Sequence, residues 1–170
     1  MPKRGYIFKG RVISLFTKAV KLPNGHKSRI EIIEHPGAVL IVPFLAENKL
    51  ILLRQFRPVI GKYIYEFPAG TLNKGEGPLK CARRELEEET GFTAKKIKKI
   101  AHIYPVPGYS TETIHIFKAH GLSKKSAVPD KDEVIKTFVM TKEILRGMFR
   151  QAKITDAKTI CAAALCGLLR

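Results

Sequence analysis

Glu85, Glu88 and Glu89 lie three and four residues apart, the spacing that puts side chains on one face of an α-helix. Three like charges on one face repel one another. Oxygen donors grouped in this way suit Mg²⁺ or Mn²⁺. Arg83 and Arg84 sit close enough to pair with part of the charge. An acidic helix face on its own reads as a solvated surface. Here it follows a glycine-rich stretch, Gly70-Thr71-Leu72-Asn73-Lys74-Gly75-Glu76. Cations held at such a face polarise carbonyl or phosphoryl oxygens and lower the pKa of bound water. A further carboxylate that positions or deprotonates the water contributes about 10²–10⁴-fold.

The carboxylates need a helix to carry them. Pro78 stands where a helix can begin without an N–H donor, and Gly91 supplies the stop. Leu79, Ala82, Leu86 and Thr90 mark its apolar face. Upstream, Tyr6-Ile7-Phe8, Val12 to Phe16 and the alternating Ser28 to Glu34 read as strands, with Pro23-Asn24-Gly25 as a turn. Ala38 to Leu45 is a nearly continuous apolar run, as expected of a strand buried on both faces. Leu50 to Phe56 completes a hairpin with it. Tyr63 to Phe67 is a short extended piece. Ile97 to Tyr104, Thr113 to Ala119 and Glu133 to Met140 read as strands, and residues 121–132 as a loop. Thr141 to Met148 and Asp156 to Leu169 read as helices, the second burying Ile160, Cys161, Ala164, Leu165 and Leu168. Strands, helix, strands, helix is an α+β order.

Composition narrows the class. The chain has 170 residues, and 31 Lys and Arg against 15 Asp and Glu give a net charge of +16. It has the composition of a soluble globular protein. No apolar run approaches the roughly 20 residues that span a bilayer. The basic N-terminus lacks the apolar stretch of a signal peptide, so the chain reads as mature and cytoplasmic. Cys81, Cys161 and Cys166 fit no zinc spacing and read as buried thiols in a reducing compartment. The positive charge favours anionic partners: nucleotides, nucleic acid or anionic surfaces. A nucleic-acid binder would carry a continuous basic stripe with aromatics along it. The lysines here are scattered, so nucleic acid is not the expected partner, nor is a membrane. Lys95, Lys96, Lys98 and Lys99 read as a solvated strand edge. His35, His102, His115 and His120 lack ligand spacing and read as structural or exposed.

Residues 70–92 carry the pattern G-x5-E-x7-R-E-U-x-E-E-x-G-U, with U apolar, complete from Gly70 to Phe92. The segment resembles the Nudix box, and the chain is similar to Nudix hydrolases. The resemblance implies an α/β/α sandwich around a mixed sheet. It also implies Mg²⁺-dependent hydrolysis of a nucleoside diphosphate linked to another group. By that resemblance Glu85, Glu88 and Glu89 hold two or three Mg²⁺ ions, or Mn²⁺, with the backbone carbonyl of Ala69. Glu76 and Arg84 tie the loop to the helix.

Arg54-Gln55-Phe56-Arg57-Pro58, Tyr65-Glu66-Phe67-Pro68-Ala69-Gly70 and Pro105-Val106-Pro107-Gly108-Tyr109-Ser110 flank the box. Together they resemble the branch that hydrolyses ADP-ribose to AMP and ribose 5-phosphate. Hydrolases of GDP-mannose and other nucleoside diphosphate sugars stand close by. An RNA-binding or RNA-end-processing member would fit the charge but not these flanking segments. The branch implies that Arg29 and Arg57 grip the diphosphate or its neighbourhood, that Glu66 and Glu112 contact the nucleoside or ribose, and that Ser110 also binds substrate. It places the general base in a late loop, where Glu133 is the choice, Asp132 the next and Glu89 the fallback. It implies that residues 1–40 form an antiparallel β element swapped between the subunits of a homodimer, beside a catalytic domain of residues 41–170.

Overall fold

The computed structural model describes residues 5–125 and 134–169. Three strands come first: β1 (Gly5–Lys9), β2 (Ser14–Lys21) and β3 (Lys27–Glu34), an antiparallel sheet in the order β1-β2-β3. Gly25, at φ +86°, turns the chain between β2 and β3, a conformation open to glycine at no steric cost. β3 meets the rest of the protein through backbone. Ile33 N–H donates to Tyr109 O at 2.7 Å, and Thr111 N–H donates to Ile33 O at 3.0 Å.

Seven strands form the second sheet: β4 (Ala38–Ala46), β5 (Lys49–Arg57), β6 (Lys62–Glu66), β7 (Ala69–Thr71), β8 (Phe92–Ile103), β9 (Ile114–Lys124) and β10 (Ile135–Thr141). The order is β10-β5-β4-β9-β8, with β6 paired to β5 and β7 to β4. β4 runs parallel to β9 and antiparallel to β5 and β7, so the sheet is mixed. Three helices complete the described chain: α1 (Pro78–Thr90), α2 (Lys142–Arg150) and α3 (Ala157–Leu165).

The apolar run in β4 is buried on both faces, as its sequence predicts. Val39 and Ile41 pack with Ala82, Leu86 and Phe117 under α1. Ala38, Leu40 and Val42 pack with Leu145, Met148, Ala162 and Ala163 under α2 and α3. A period of two along the strand feeds two cores, and helices cover both sides of the sheet. None of the described helices is long and apolar enough to cross a membrane.

Several expectations need correction. Residues 121–124 continue β9 rather than forming a loop, and β8 starts at Phe92 rather than Ile97. The polar residues of this extension pair with β8 at the sheet margin, where polarity does not oppose strand formation. In α1, Leu79 is 47% exposed, while Cys81 is buried with Ala82, Glu85, Leu86, Glu89 and Thr90. Packing against β7 turns the helix toward that arc.

In α3, Ile160, Cys161, Ala164 and Leu165 do not face the core. Thr159, Ala162 and Ala163 do, along with Leu168 beyond the helix. Close approach to β4 selects the small side chains. The helix also ends at Leu165, short of Leu169. Of the three free cysteines, Cys81 is buried, Cys166 half-buried and Cys161 exposed. The lysines at 95, 96, 98 and 99 are exposed on β8, an outer strand of the sheet, as expected.

Candidate active site

The helix α1 starts and stops where its sequence dictates. Gly77 is the N-cap, Pro78 follows, and Gly91 closes the C-terminus at φ +72°, its N–H donating to Glu87 O. The loop before it is fastened by one arginine. Arg84 Nε donates to Glu76 Oε1 at 3.0 Å and Nη2 to Glu76 Oε2 at 2.9 Å. Paired N–H···O bonds of this kind fix orientation as well as energy. Glu76 Oε2 also accepts from Asn73 N–H at 3.0 Å. The Arg84 hydrogen bonds hold the Glu76 carboxyl at about 2, below its ordinary 4.5. The same bond to Glu76 raises the Arg84 pKa. Burial pushes the neighbouring Cys81 thiol up to about 12, which keeps it protonated.

The other edge of the Arg84 guanidinium meets the acidic face. Nη1 donates to Glu85 Oε1 at 2.6 Å and to Glu88 Oε2 at 2.8 Å. Glu89 turns toward the sheet, where its Oε2 accepts from Ala69 N–H at 2.9 Å. Glu85 and Glu89 are 9% and 7% exposed, and Glu88 is more open. Three glutamates, Glu76, Glu85 and Glu88, share the one guanidinium of Arg84, so that group keeps an excess of negative charge. At Gly70 a Cβ would fall 1.9 Å from the Glu85 carboxylate carbon. Only glycine lets that carboxylate lie against the β7 backbone. Hard oxygen donors with unbalanced charge beside a bare backbone fit a divalent cation. Among the described residues, no three His, Cys, Asp or Glu side chains converge as a metal-holding group: Glu85 and Glu88 are engaged by Arg84 and Glu89 by Ala69 N–H.

A second ionic group lies across β7. Glu66 is 1% exposed. Arg57 Nε donates to its Oε2 at 2.7 Å and Arg57 Nη2 to its Oε1 at 3.0 Å. Lys158, at the start of α3, also donates to Glu66 Oε1, and to Asp156 Oδ1 at 2.8 Å.

Two adjoining clefts open here, of about 940 and 360 Å³, and both are lined by Arg57, Ala69, Gly70 and Thr71. Glu85 and Glu88 line the larger, with Arg11, His35 and Lys74. Glu112, Asp156 and Lys158 line the smaller. The structure therefore brings together Ala69, Glu85, Glu88, Arg57 and Glu112, with Glu89 bonded to Ala69 behind them. Glu66 lines neither cleft, because both its oxygens are engaged beneath Arg57. Ser110 Oγ accepts from Glu112 N–H at 3.1 Å, and Ser110 bridges to Ile33 of β3. It supports the loop and is not among the cleft-lining residues. Arg29 is exposed on β3, outside both clefts of its own chain. Glu133 and Asp132 lie outside the described residues. Sequence reasoning missed Lys158 and Asp156. Their signal, an Asp at a helix N-cap with a lysine two residues on, is too common to mark a site.

A NUDIX domain matches residues 34–161. The chain belongs to the Nudix family. Over 158 residues it is 44% identical to the ADP-ribose pyrophosphatase of Bacillus subtilis (strain 168), covering 92% of this chain and 85% of that one. It is 41% identical over 162 residues to the methanol dehydrogenase activator of Bacillus methanolicus, covering 94% and 88%. A crystal structure of an ADP compounds hydrolase superposes with a TM-score of 0.82, covering 98% of this chain and 92% of that one. At 23% identity, that likeness speaks for the fold: a mixed central sheet, three helices and an antiparallel three-stranded sheet.

Proposed function

We propose that this chain is a divalent-metal-dependent pyrophosphohydrolase that cleaves ADP-ribose, with water, to AMP and ribose 5-phosphate. One observation carries the reading. The carboxylate face of α1 meets the backbone at Ala69 and Gly70 where two clefts join, and Arg57 lines both. A substrate with a diphosphate between two bulky ends matches that layout. The relatedness to an ADP-ribose pyrophosphatase supports the choice of substrate.

Glu85, Glu88, Glu89 and the Ala69 carbonyl are the proposed ligands for Mg²⁺, two or three ions, with Mn²⁺ able to replace it. When bound, the metal neutralises phosphate oxygens and lowers the pKa of water. Arg84 and Glu76 hold the carboxylate helix against its loop. Arg57 binds the diphosphate with its planar guanidinium. Glu112 faces the ribose or nucleoside, and Ser110 keeps its loop in place. Glu66 serves beneath Arg57 rather than at the substrate. Glu133 is the proposed base that takes the proton from the attacking water, with Asp132 the next choice and Glu89 the fallback.

Arg29 reaches a diphosphate only if β3 is presented to the cleft of a second copy. That requirement supports a homodimer in which residues 1–40 are exchanged beside catalytic units of residues 41–170. Exposed Tyr6, Ile7 and Phe8 on β1 support it as well. Free cysteines fit a cytoplasmic setting.

The test is release of nucleoside monophosphate from ADP-ribose, GDP-mannose, ADP-glucose and 5′-triphosphate RNA, with Mg²⁺ and with chelator. Metal-dependent release of AMP, fastest from ADP-ribose, is expected. Faster turnover of GDP-mannose keeps the chemistry and moves the specificity. No turnover of any substrate overturns the reading.

A further inference from the structure

We propose that Lys158 is a positioning residue for Arg57, acting through the carboxylate of Glu66 that the two cations share. The inference rests on the functional reading above and adds a residue to it. Glu66 is 1% exposed, and a buried carboxylate is stable only when it is paired and hydrogen-bonded. Arg57 supplies two bonds, and Lys158 a third to the oxygen that Arg57 Nη2 also uses.

Lys158 is itself held. Asp156 Oδ1 accepts from its ammonium, while Asp156 Oδ2 accepts from Thr159 N–H at 3.0 Å and caps α3. One residue beyond Glu66, Phe67 N–H donates to Thr159 Oγ1 at 3.0 Å. The start of α3 is therefore bolted to the strand end that leads into Ala69 and Gly70. Charge adds to geometry. Arg57, Lys158, Glu66 and Asp156 sum to zero. Removing the ammonium leaves the group at −1 beside a site for an anion, and leaves Arg57 as the sole cation on Glu66. Arg57 is then drawn inward and offers less to the diphosphate.

Loss of the residue that orients a metal ligand costs roughly 10–100-fold, and a loss at the lower end of that scale is expected for a residue that orients Arg57. An interaction made equally with substrate and transition state is read in KM rather than kcat. For Lys158→Met, the expected result is a KM for ADP-ribose raised about tenfold or more, with kcat within about threefold. Calorimetry of ADP-ribose binding in chelator, where nothing turns over, is expected to weaken by the same factor. Lys158→Arg restores both, because Arg can also reach and pair with Glu66.

The effect on KM is expected to vanish on an Arg57→Gln background, since Lys158 acts through Arg57. Additive losses there overturn the proposal, because they show Lys158 acting on substrate independently of Arg57. An unchanged KM in folded Lys158→Met overturns it too. If Lys158→Met fails to fold, Asp156→Asn takes its place. It keeps a capping side chain, loosens Lys158 and is expected to raise KM in the same direction; no rise overturns the proposal. Wild-type protein that neither binds nor hydrolyses ADP-ribose overturns the functional reading and this inference together. An active wild type with unaltered variants overturns this inference alone.

Discussion

A single guanidinium organises the acidic face. Arg84 bonds to Glu76, Glu85 and Glu88 at once, so the three glutamates do different work with the same chemistry. Glu76 is structural, and its carboxyl is held at about 2 by Arg84 against an ordinary 4.5. A lowered folded-state pKa stabilises the protein fully above pH 4.5, and that contribution is lost as pH falls toward 2. Glu76→Gln is expected to lower unfolding stability by about 1–3 kcal/mol at pH 7. In urea titrations the gap from wild type should narrow as pH drops below 4.5. A constant gap down to pH 3 would contradict the assignment. Glu85→Gln and Glu89→Gln are expected to abolish turnover with the circular dichroism spectrum unchanged; wild-type rates in both would remove the metal site from this face. Glu133→Gln is expected to cost at least about tenfold in kcat, and no loss would move the base elsewhere. The three box carboxylates were legible because helix geometry converts spacing into a shared face. The pairing of Glu66 with Lys158 was not, because they are 92 residues apart and nothing local to either announces the other.

Among elements, the contact of β7 with α1 sets the most exacting geometry. β7 has only three residues and was not foreseen, since three residues carry no readable period. Its glycine is what admits Glu85. Gly70→Ala forces the Glu85 carboxylate to move, because the added methyl would overlap it. Activity is expected to fall much further than stability, measured as kcat/KM against thermal midpoint. Equal, small changes in both would show that the carboxylate can step aside. The strand β4 was legible because an unbroken apolar run must be covered on two faces. The buried side of α3 was misread for the converse reason. Hydrophobic size pointed to Ile160 and Leu165, whereas the narrow space over β4 admits Ala162 and Ala163, and Leu165 is left 51% exposed. Size ranks what would gain from burial, but the gap between elements decides what fits. The Thr159 hydroxyl, fully buried against Phe67 N–H, is invisible to any apolar pattern.

For the whole molecule, the β1–β3 sheet is joined to the rest through backbone bonds at β3 and leaves Ile7 and Phe8 exposed. Light scattering is expected to give twice the 19.1 kDa chain mass. Removal of residues 1–34 is expected to give a monomer with lost affinity for ADP-ribose. A full-length monomer with full activity would refute the exchange of this sheet. The α+β order was readable from the strand and helix sequence, and the sandwich from the family resemblance of residues 70–92. The relation between the two sheets was not, because no charge or apolar pattern in residues 5–34 says which chain they serve.

The stretch from Glu66 to Gly70 is fastened from two directions. Glu89 of α1 holds Ala69, and Thr159 and Lys158 of α3 hold Phe67 and Glu66. Synthesis reaches these fasteners in order. A nascent chain that has completed its carboxylate helix still lacks the last element that sets the loop beneath it. The stretch beneath the carboxylates therefore gains its full set of fasteners only once translation has passed residue 159.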